Sequence, residues 1–238
     1  MKLDILAIGA HPDDVELSCS GTLLKHIASG KICGILDLTC GELGTRGSGP
    51  LRLQEAANAA KVLGISVRDN LKMDDGFFVN DKKHQLEIIK KIRHYKPEII
   101  VCNALSDRHP DHARAAHLVS EACFYSGLVK IETAYEGFKQ EPWRPKAVYH
   151  YIQDRQLNPD FIIDVSAFVN IKMEAIKAFK SQFYDPNSND PESPISGENF
   201  FDLVKAKMIV FGRDAGFDYA EGFNVERVLG INDLFHLS

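Results

Sequence analysis

The chain has 238 residues and a formal net charge of −5, with 45% hydrophobic and 26% charged residues. This balance is typical of a soluble globular protein, and the lack of a basic stripe or a Lys/Arg run argues against a nucleic-acid partner. No segment approaches the roughly twenty apolar residues of a membrane span, so the sequence predicts no membrane partner.

Cysteine usage indicates the redox compartment. The five cysteines are odd in number and include no Cys-x-x-Cys pair, which argues against a disulfide framework. The first residues pass directly into a strand-like segment, without the basic region and apolar core of a secretory signal. We therefore expect a reducing, cytoplasmic location.

Apolar strands alternate with helical segments from the N-terminus onward. Residues 3–9 predict a strand, residues 17–29 a helix and residues 31–39 a second strand, which is the start of a βαβ arrangement. A glycine-rich loop over residues 41–49 then leads into a helix over residues 50–63. The loop lacks the Gly-Lys-Ser/Thr ending of a phosphate-binding P-loop, so we expect it to be flexible over a pocket.

The rest of the chain continues this alternation. Strands are predicted at residues 67–71, 98–103, 146–152 and 161–165, and helices at residues 81–95, 110–125, 169–183 and 199–211. Residues 127–144 are irregular, and the polar loop 184–191 is either a lid or a connection. The pattern predicts an α/β fold, a single Rossmann-like domain over residues 1–238 with a mostly parallel sheet flanked by helices. The strand order does not follow from the sequence.

Two short motifs follow predicted strands. Residues 11–14 read HPDD after the first strand, and residues 109–112 read HPDH after the strand at 98–103. In open α/β sheets ligands bind at the carboxyl ends of strands, where both motifs fall. Imidazole and carboxylate are donors that Zn²⁺ accepts, and a catalytic zinc keeps three protein ligands and one open position. The two motifs together therefore predict one metal site.

Each motif also has a simpler explanation. Asp13 and Asp14 suit the cap and first turn of the following helix, and Pro110-Asp111 suits a helix start with the histidines as surface groups. Helix capping does not require two His- and Asp-rich turns at equivalent places in the architecture. This coincidence favours the metal site.

The paired motifs also carry a family resemblance. Residues 10–14, which read AHPDD, and residues 107–112, which read DRHPDH, resemble the paired signature of the LmbE-like, PIG-L-type, zinc-dependent N-acetylglucosamine deacetylases. Residues 41–47, 181–184 and 219–223 resemble the branch that acts in bacillithiol biosynthesis. That branch removes acetyl from N-acetylglucosaminyl-malate. The resemblance implies a Rossmann-like domain, a divalent metal that is usually zinc, and homo-oligomers built from trimers.

The resemblance also implies roles for individual residues. The metal ligands are His11, Asp14 and His112. Asp13 matches the general base that takes a proton from the metal-activated water, and His109 matches a catalytic histidine. We expect Asp111 to hold the His109 imidazole in its charged form, so that it stabilises the oxyanion. Either Asp13 or His109 protonates the leaving amine.

The expected malate aglycone carries two carboxylates, and guanidinium groups pair with carboxylates in a bidentate manner. Arg52, at the start of the helix after the glycine-rich loop, is the first candidate for this contact. Arg108, adjacent to His109, is a comparable one, whereas Arg46 and Tyr184 are weaker candidates.

Two other interpretations stay open. The same chemistry can act on another N-acetylated amino sugar or, as an amidase, on a thiol conjugate, because these enzymes share the site and differ only in the aglycone pocket. A non-catalytic sugar-binding or metal-binding protein would use the motifs structurally. Asp13 discriminates here, because a structural site does not need an unligated carboxylate beside the metal.

Overall fold

The computed structural model describes residues 1–233 and 235. The strands are β1 Ile5–Gly9, β2 Cys33–Thr39, β3 Val67–Met73, β4 Ile99–Cys102, β5 Ala134–Tyr135, β6 Phe138–Lys139, β7 Ala147–Tyr151, β8 Phe161–Asp164 and β9 Ala220–Val225. The helices are α1 Asp14–Ala28, α2 Gly49–Leu63, α3 Lys82–Tyr95, α4 Pro110–Ser126, α5 Val169–Lys177 and α6 Phe200–Arg213.

Seven of the strands form one sheet in the order β3-β2-β1-β4-β7-β9-β8. The pairs from β3 to β7 are parallel, whereas β9 runs antiparallel to both β7 and β8. The predicted α/β class with a mostly parallel sheet is confirmed. Strand order reverses at β1, which pairs with β2 on one side and β4 on the other. This switch point opens a crevice at the carboxyl ends of β1 and β4.

Strand β1 shows why the sheet is buried on both faces. Its side chains alternate between two hydrophobic clusters, with Leu6 and Ile8 in one and Ile5 and Ala7 in the other. Helices α3 and α4 pack together, as do α1, α2 and α5. The sheet therefore holds the ends of β1 and β4 rigidly between helical layers.

Two helix boundaries and three strands differ most from the prediction. Helix α1 begins at Asp14, three residues earlier than expected, and α5 ends at Lys177 although the apolar spacing continues through Phe179 and Phe183, both of which are buried. Strand β9 was not predicted because a buried charge, Glu221, interrupts its apolar pattern. The region predicted as irregular contains the small hairpin of β5 and β6.

Among the described residues, no helix combines the length and the apolar character that crossing a membrane requires.

Candidate metal centre and active site

The two sequence motifs meet at the switch point. The loop after β1 carries His11, and its Ala10 amide donates to Asn103 Oδ1 at 2.9 Å, just beyond β4. Helix α4 follows and carries His112, whose ring centroid lies 5.5 Å from that of His11. Parallel strand pairing therefore brings together residues that are about a hundred positions apart.

Asp14 stands between the two imidazoles. Its Oδ1 lies 3.1 Å from His112 Nε2, and its Oδ2 lies 3.7 Å from His11 Nδ1. Two further carboxylates occupy the other nitrogen of His11, because Nε2 lies 3.0 Å from Asp75 Oδ1 and 3.2 Å from Asp111 Oδ2.

His112 shows the same division of its nitrogens, since Nδ1 is hydrogen-bonded to Asp107. Each ring thus has one nitrogen held by carboxylate, and its other nitrogen faces Asp14. Metal-binding histidines typically have this arrangement, in which a carboxylate on one nitrogen orients the other toward the metal. Imidazole and carboxylate donors of this kind suit a divalent metal, and the assignment of His11, Asp14 and His112 as its ligands stays a prediction.

The Asp14 carboxylate is itself held by buried amides. Asn103 Nδ2 and the His11 backbone N–H both donate to Oδ2 at 2.9 Å, and Gln153 Nε2 donates to Oδ1 at 3.0 Å. Asn103 Nδ2 also donates to Gln153 Oε1 at 2.9 Å, so the two amides orient each other. This network leaves the carboxylate few ways to rotate.

Burial and charge shift the titration of this cluster. Burial opposes protonation of His11, but its contacts with Asp111 and Asp75 outweigh that effect and raise its pKa to about 9. Burial likewise opposes protonation of His112, and Asp14 with Asp107 raises its pKa to about 10. Without a bound cation, therefore, the carboxylates attract protons to both rings.

Asp13 lies beside this cluster in a strained backbone conformation. Its φ is 113°, a left-handed value that costs a non-glycine residue about 1–3 kcal/mol. It occupies the cap position of α1, yet its side chain makes no capping hydrogen bond. Burial, partly offset by Arg52, raises the pKa of Asp13 to about 6. Simple helix capping therefore does not account for this carboxylate.

Arg52 contacts Asp13 directly. Its Nη2 lies 2.9 Å from Asp13 Oδ2 and also donates to the Pro12 carbonyl, while Nη1 donates to the Gly41 carbonyl at 3.3 Å. Gly41 has a φ of +64°, and a Cβ there would lie 2.1 Å from Arg52 Nη1. The assignment of Arg52 to a substrate carboxylate stays a prediction, but the guanidinium already has the partner Asp13.

The expected pairing of Asp111 with His109 is wrong. Asp111 Oδ2 contacts His11 and accepts from the Gly76 amide at 2.9 Å, whereas His109 Nδ1 accepts from the backbone N–H of Asp111 at 3.3 Å. The reason is local geometry, because His109 caps α4 and the Asp111 side chain turns toward the loop after β3. Burial, together with His11 and His112, lowers the pKa of His109. Asp111 therefore orients His11 and does not hold His109 charged.

Arg108 is placed at the mouth of the site. Its side chain is 46% exposed and pairs with Asp154 through Nε. Its assignment to the substrate also stays a prediction.

A cavity of about 900 Å³ opens onto the cluster. Its lining includes Asp13, Asp14 and His109, together with parts of the glycine-rich loop and of α6. The cavity is large enough for a sugar with a substituent. The reactive groups thus line a space that a small molecule can enter.

Within the described residues, two groups have metal-ligand atoms that all lie within 4.8 Å of one another. One is His11, His109 and His112, and the other is His11, Asp75 and Asp111. Both groups contain His11, which is the point where the two motifs and the loop after β3 converge.

Four polar residues at the site received no role in the sequence analysis. They are Asp75, Asn103, Asp107 and Gln153. Asp107 was signalled by its place in the second motif, and Asn103 by its position at a strand end. Asp75 and Gln153 follow other strands and carried no local signal, because only the fold brings them to the site.

Comparisons with known proteins agree with this geometry. The family model described as PIG-L, GlcNAc-PI de-N-acetylase, matches residues 6–123, a stretch that contains both motifs. The crystal structure of the conserved protein TT1542 from Thermus thermophilus is 33% identical, with a TM-score of 0.84, and the match covers 97% of this chain and 98% of that one.

Two relatives of named activity are also similar over most of the chain. The diacetylchitobiose deacetylase of Thermococcus kodakarensis is 28% identical over 229 residues, which is 92% of this chain and 81% of that protein. The probable N-acetyl-alpha-D-glucosaminyl L-malate deacetylase 2 of Bacillus subtilis is 28% identical over 208 residues, which is 76% of this chain and 84% of that protein.

Proposed function

Because this chain belongs to the PIG-L family of de-N-acetylases, we propose that it is a metal-dependent hydrolase that removes the acetyl group from an N-acetylated glucosaminide. The observation that carries the proposal is the arrangement around Asp14. Two imidazoles each turn one nitrogen toward this carboxylate, and the unligated carboxylate of Asp13 lies beside them in the same cavity. A purely structural metal site would not need Asp13.

The proposed metal ligands are His11, Asp14 and His112, and Zn²⁺ or another divalent transition metal suits this donor set. When bound, the ion supplies Lewis acidity, which polarises the acetyl carbonyl and makes an attacking water more acidic. The chain's own residues must then position the water and move its proton.

Asp13 is the proposed general base. Its carboxylate is unligated, borders the cavity, and is oriented by Arg52 at 2.9 Å, so it can accept a proton from water as the oxygen attacks the acetyl carbon. The carbonyl oxygen gains negative charge as the tetrahedral intermediate forms. The half-buried His109 ring also lines the cavity and is the proposed donor to this oxygen.

The leaving amine must gain a proton when the carbon–nitrogen bond breaks. Asp13 can return the proton that it took from water, which keeps the proton count balanced. Asp13 borders the cavity and already carries that proton, so we assign this step to Asp13. Acetate and a free amino sugar are then the products.

The proposed substrate is N-acetylglucosaminyl-malate in bacillithiol biosynthesis. The support is the family branch that the sequence resembles and the similarity to the Bacillus subtilis relative. Another N-acetylated amino sugar is the second candidate, favoured by the similarity to a diacetylchitobiose deacetylase. A trimer-based homo-oligomer and a cytoplasmic location remain predictions that accompany this assignment.

The test is acetate release by the purified, zinc-loaded protein from N-acetylglucosaminyl-malate. N-acetylglucosamine alone, diacetylchitobiose and a chelator-treated sample serve as comparisons. Release that requires both metal and malate supports the full proposal. Equal release from all three sugars would support deacetylase activity but contradict the proposed malate substrate. No release from any of them would refute the deacetylase proposal.

A further inference from the structure

Arg46 is a buried cation on the wall of the catalytic cavity, and one of its nitrogens has no hydrogen-bond partner. The residue lies in the glycine-rich loop, is only 6% exposed and lines the cavity. Its Nη2 donates to Ser188 Oγ at 2.8 Å, and its Nε has no hydrogen-bond partner. The nearest carboxylate, Asp190, lies 3.9 Å from Nε and is itself more than half exposed. A buried guanidinium that lacks a close anion is costly, so this arrangement indicates an anionic ligand.

The other cations that line the cavity are already engaged. Arg52 pairs with Asp13, and Arg108 pairs with Asp154 at the surface. Lys172 is buried against Glu221 at 2.7 Å, and Lys207 donates to two backbone carbonyls. Among the described residues, Arg46 is therefore the lysine or arginine of this lining that is both buried and without a carboxylate within 3.5 Å.

The surrounding structure holds Arg46 in place. Gln182 Nε2 donates to its backbone carbonyl at 2.8 Å, and Ser181 donates to Glu55 through both its backbone N–H and its hydroxyl. Gly47 packs against Ser181 so closely that a Cβ would lie 2.6 Å from Ser181 Oγ. The loop is thus fixed to the segment after α5, and the guanidinium is preorganised.

The cavity lining carries charges of both signs. The reactive end contains Asp13 and Asp14, with Asp75 and Asp111 behind His11. A carboxylate on the substrate would be repelled there and would be stabilised beside Arg46. The sugar's acetamido group belongs beside Asp13 and Asp14, so a substrate carboxylate that contacts Arg46 belongs to the aglycone.

We propose that Arg46 binds a carboxylate on the aglycone of the glucosaminide substrate. This proposal rests on the proposed function and assigns the specificity of the same cavity to a residue other than Arg52 or Arg108. The terminal nitrogens of the guanidinium form a planar fork that matches a carboxylate. Ser188 supports this fork by accepting from Nη2 at 2.8 Å.

The test compares an acidic substrate with its uncharged counterpart. Acetate release from N-acetylglucosaminyl-malate and from its dimethyl ester is measured for the wild type, Arg46→Gln, Arg46→Lys and the exposed matched control Arg213→Gln. We expect Arg46→Gln to raise KM for the diacid on the order of 10- to 100-fold, the worth of a charge-assisted hydrogen bond, and to leave the ester unchanged. The KM of Arg46→Lys for the diacid should lie between those of the wild type and Arg46→Gln. The KM of Arg213→Gln should match that of the wild type.

A binding measurement separates this proposal from the deacetylase assignment. Calorimetric titration with the deacetylated product, glucosaminyl-malate, requires no turnover. Weaker binding to Arg46→Gln than to the wild type supports the proposal even if no acetate is released, in which case only the proposed function fails. Equal KM changes for diacid and ester, or equal binding of the product by wild type and Arg46→Gln, would overturn it. Circular dichroism confirms that each variant is folded.

Discussion

Arg52 Nη2 lies 2.9 Å from Asp13 Oδ2, and both side chains are buried. The same guanidinium donates to the carbonyls of Pro12 and Gly41, so it joins the glycine-rich loop to the loop after β1. A residue predicted to bind substrate thus also orients the proposed general base. Removing the Arg52 guanidinium should impair catalysis on every substrate, because the resulting displacement of Asp13 does not depend on the aglycone.

Arg52→Lys keeps the charge but loses the fork that spans Asp13 and the two carbonyls. We expect kcat to fall on the order of 10²-fold, the usual cost of misplacing a catalytic group by about 1 Å, with KM little changed. The measurement is acetate release from an acidic and an uncharged acetylated glucosaminide. A fall in activity confined to the acidic substrate would indicate instead that Arg52 binds the substrate carboxylate.

Gln153→Leu tests the network behind Asp14. The substitution removes the donor to Asp14 Oδ1 and leaves Asn103 Nδ2 without its second acceptor. Residues that orient metal ligands typically contribute 10- to 100-fold to affinity, so we expect the metal dissociation constant to rise by about that factor. Competition with a chromophoric chelator measures it, and the exposed Gln156→Leu is the control. Unchanged affinity would show that Asp14 needs no such support.

Lys172→Met tests the buried ion pair beside α1. Lys172 and Glu221 are nearly inaccessible, and Glu221 also accepts from the amides of Gly21 and Thr22. Removing the cation leaves a buried carboxylate uncompensated, which should lower the free energy of unfolding by about 3–5 kcal/mol. Denaturant unfolding compares this variant with the exposed Lys180→Met. A loss below about 1 kcal/mol for Lys172→Met would show that the ion pair contributes little to stability.

The buried His150 gives a pH-dependent prediction. Its Nδ1 faces the Asn103 carbonyl at 2.8 Å and its Nε2 faces Glu226 at 3.0 Å, so the doubly protonated ring satisfies both. Burial opposes protonation, but Cys102, Glu226 and the Asn103 carbonyl outweigh it and raise the pKa of His150 to about 11. Burial opposes ionisation of Glu226, and His150 outweighs that effect and lowers the pKa of Glu226.

The sign of the effect follows from both shifts. The raised pKa of His150 stabilises the fold fully below its unfolded pKa of about 6.5, and this contribution fades as the pH rises toward 11. The contribution of Glu226 is present above about pH 4.5 and is lost as the pH falls further. We expect Glu226→Gln to cost about 1 kcal/mol near pH 5.5 and less at pH 11, where the His150 ring has lost much of its charge. Urea unfolding at both pH values measures this loss, and the exposed Glu174→Gln is the control. An equal loss in the free energy of unfolding at the two pH values would contradict the prediction.

Local sequence patterns predicted most of the fold. The strands from β1 to β8 in the main sheet were predicted within a few residues, because most of them are apolar runs flanked by polar turns. Strand β9 was missed because Glu221 is stabilised by Lys172, which lies about fifty residues away. Strand order also depends on such distant pairings, which no local pattern contains.

The sequence predicted the candidate site only in part, because the site also depends on contacts between residues that are distant in the chain. Motifs that combine ligand and catalytic residue types within a few positions, such as those around Asp14 and His112, predicted where a metal would bind. The partners that orient these residues come from other strands, as Asp75 and Gln153 do. The wrong pairing of Asp111 arose because sequence proximity to His109 was taken as contact, whereas the start of α4 turns this side chain toward His11.

The most direct test of the account separates the neighbours Asp13 and Asp14. Metal content and acetate release are measured for Asp13→Asn, Asp14→Asn and the wild type, each prepared with zinc under identical conditions. We predict that Asp14→Asn loses the metal, whereas Asp13→Asn keeps it and loses turnover by about 10²- to 10⁴-fold, the usual contribution of a general base. Equal metal loss in both variants, or normal turnover by Asp13→Asn, would contradict the proposed division of roles.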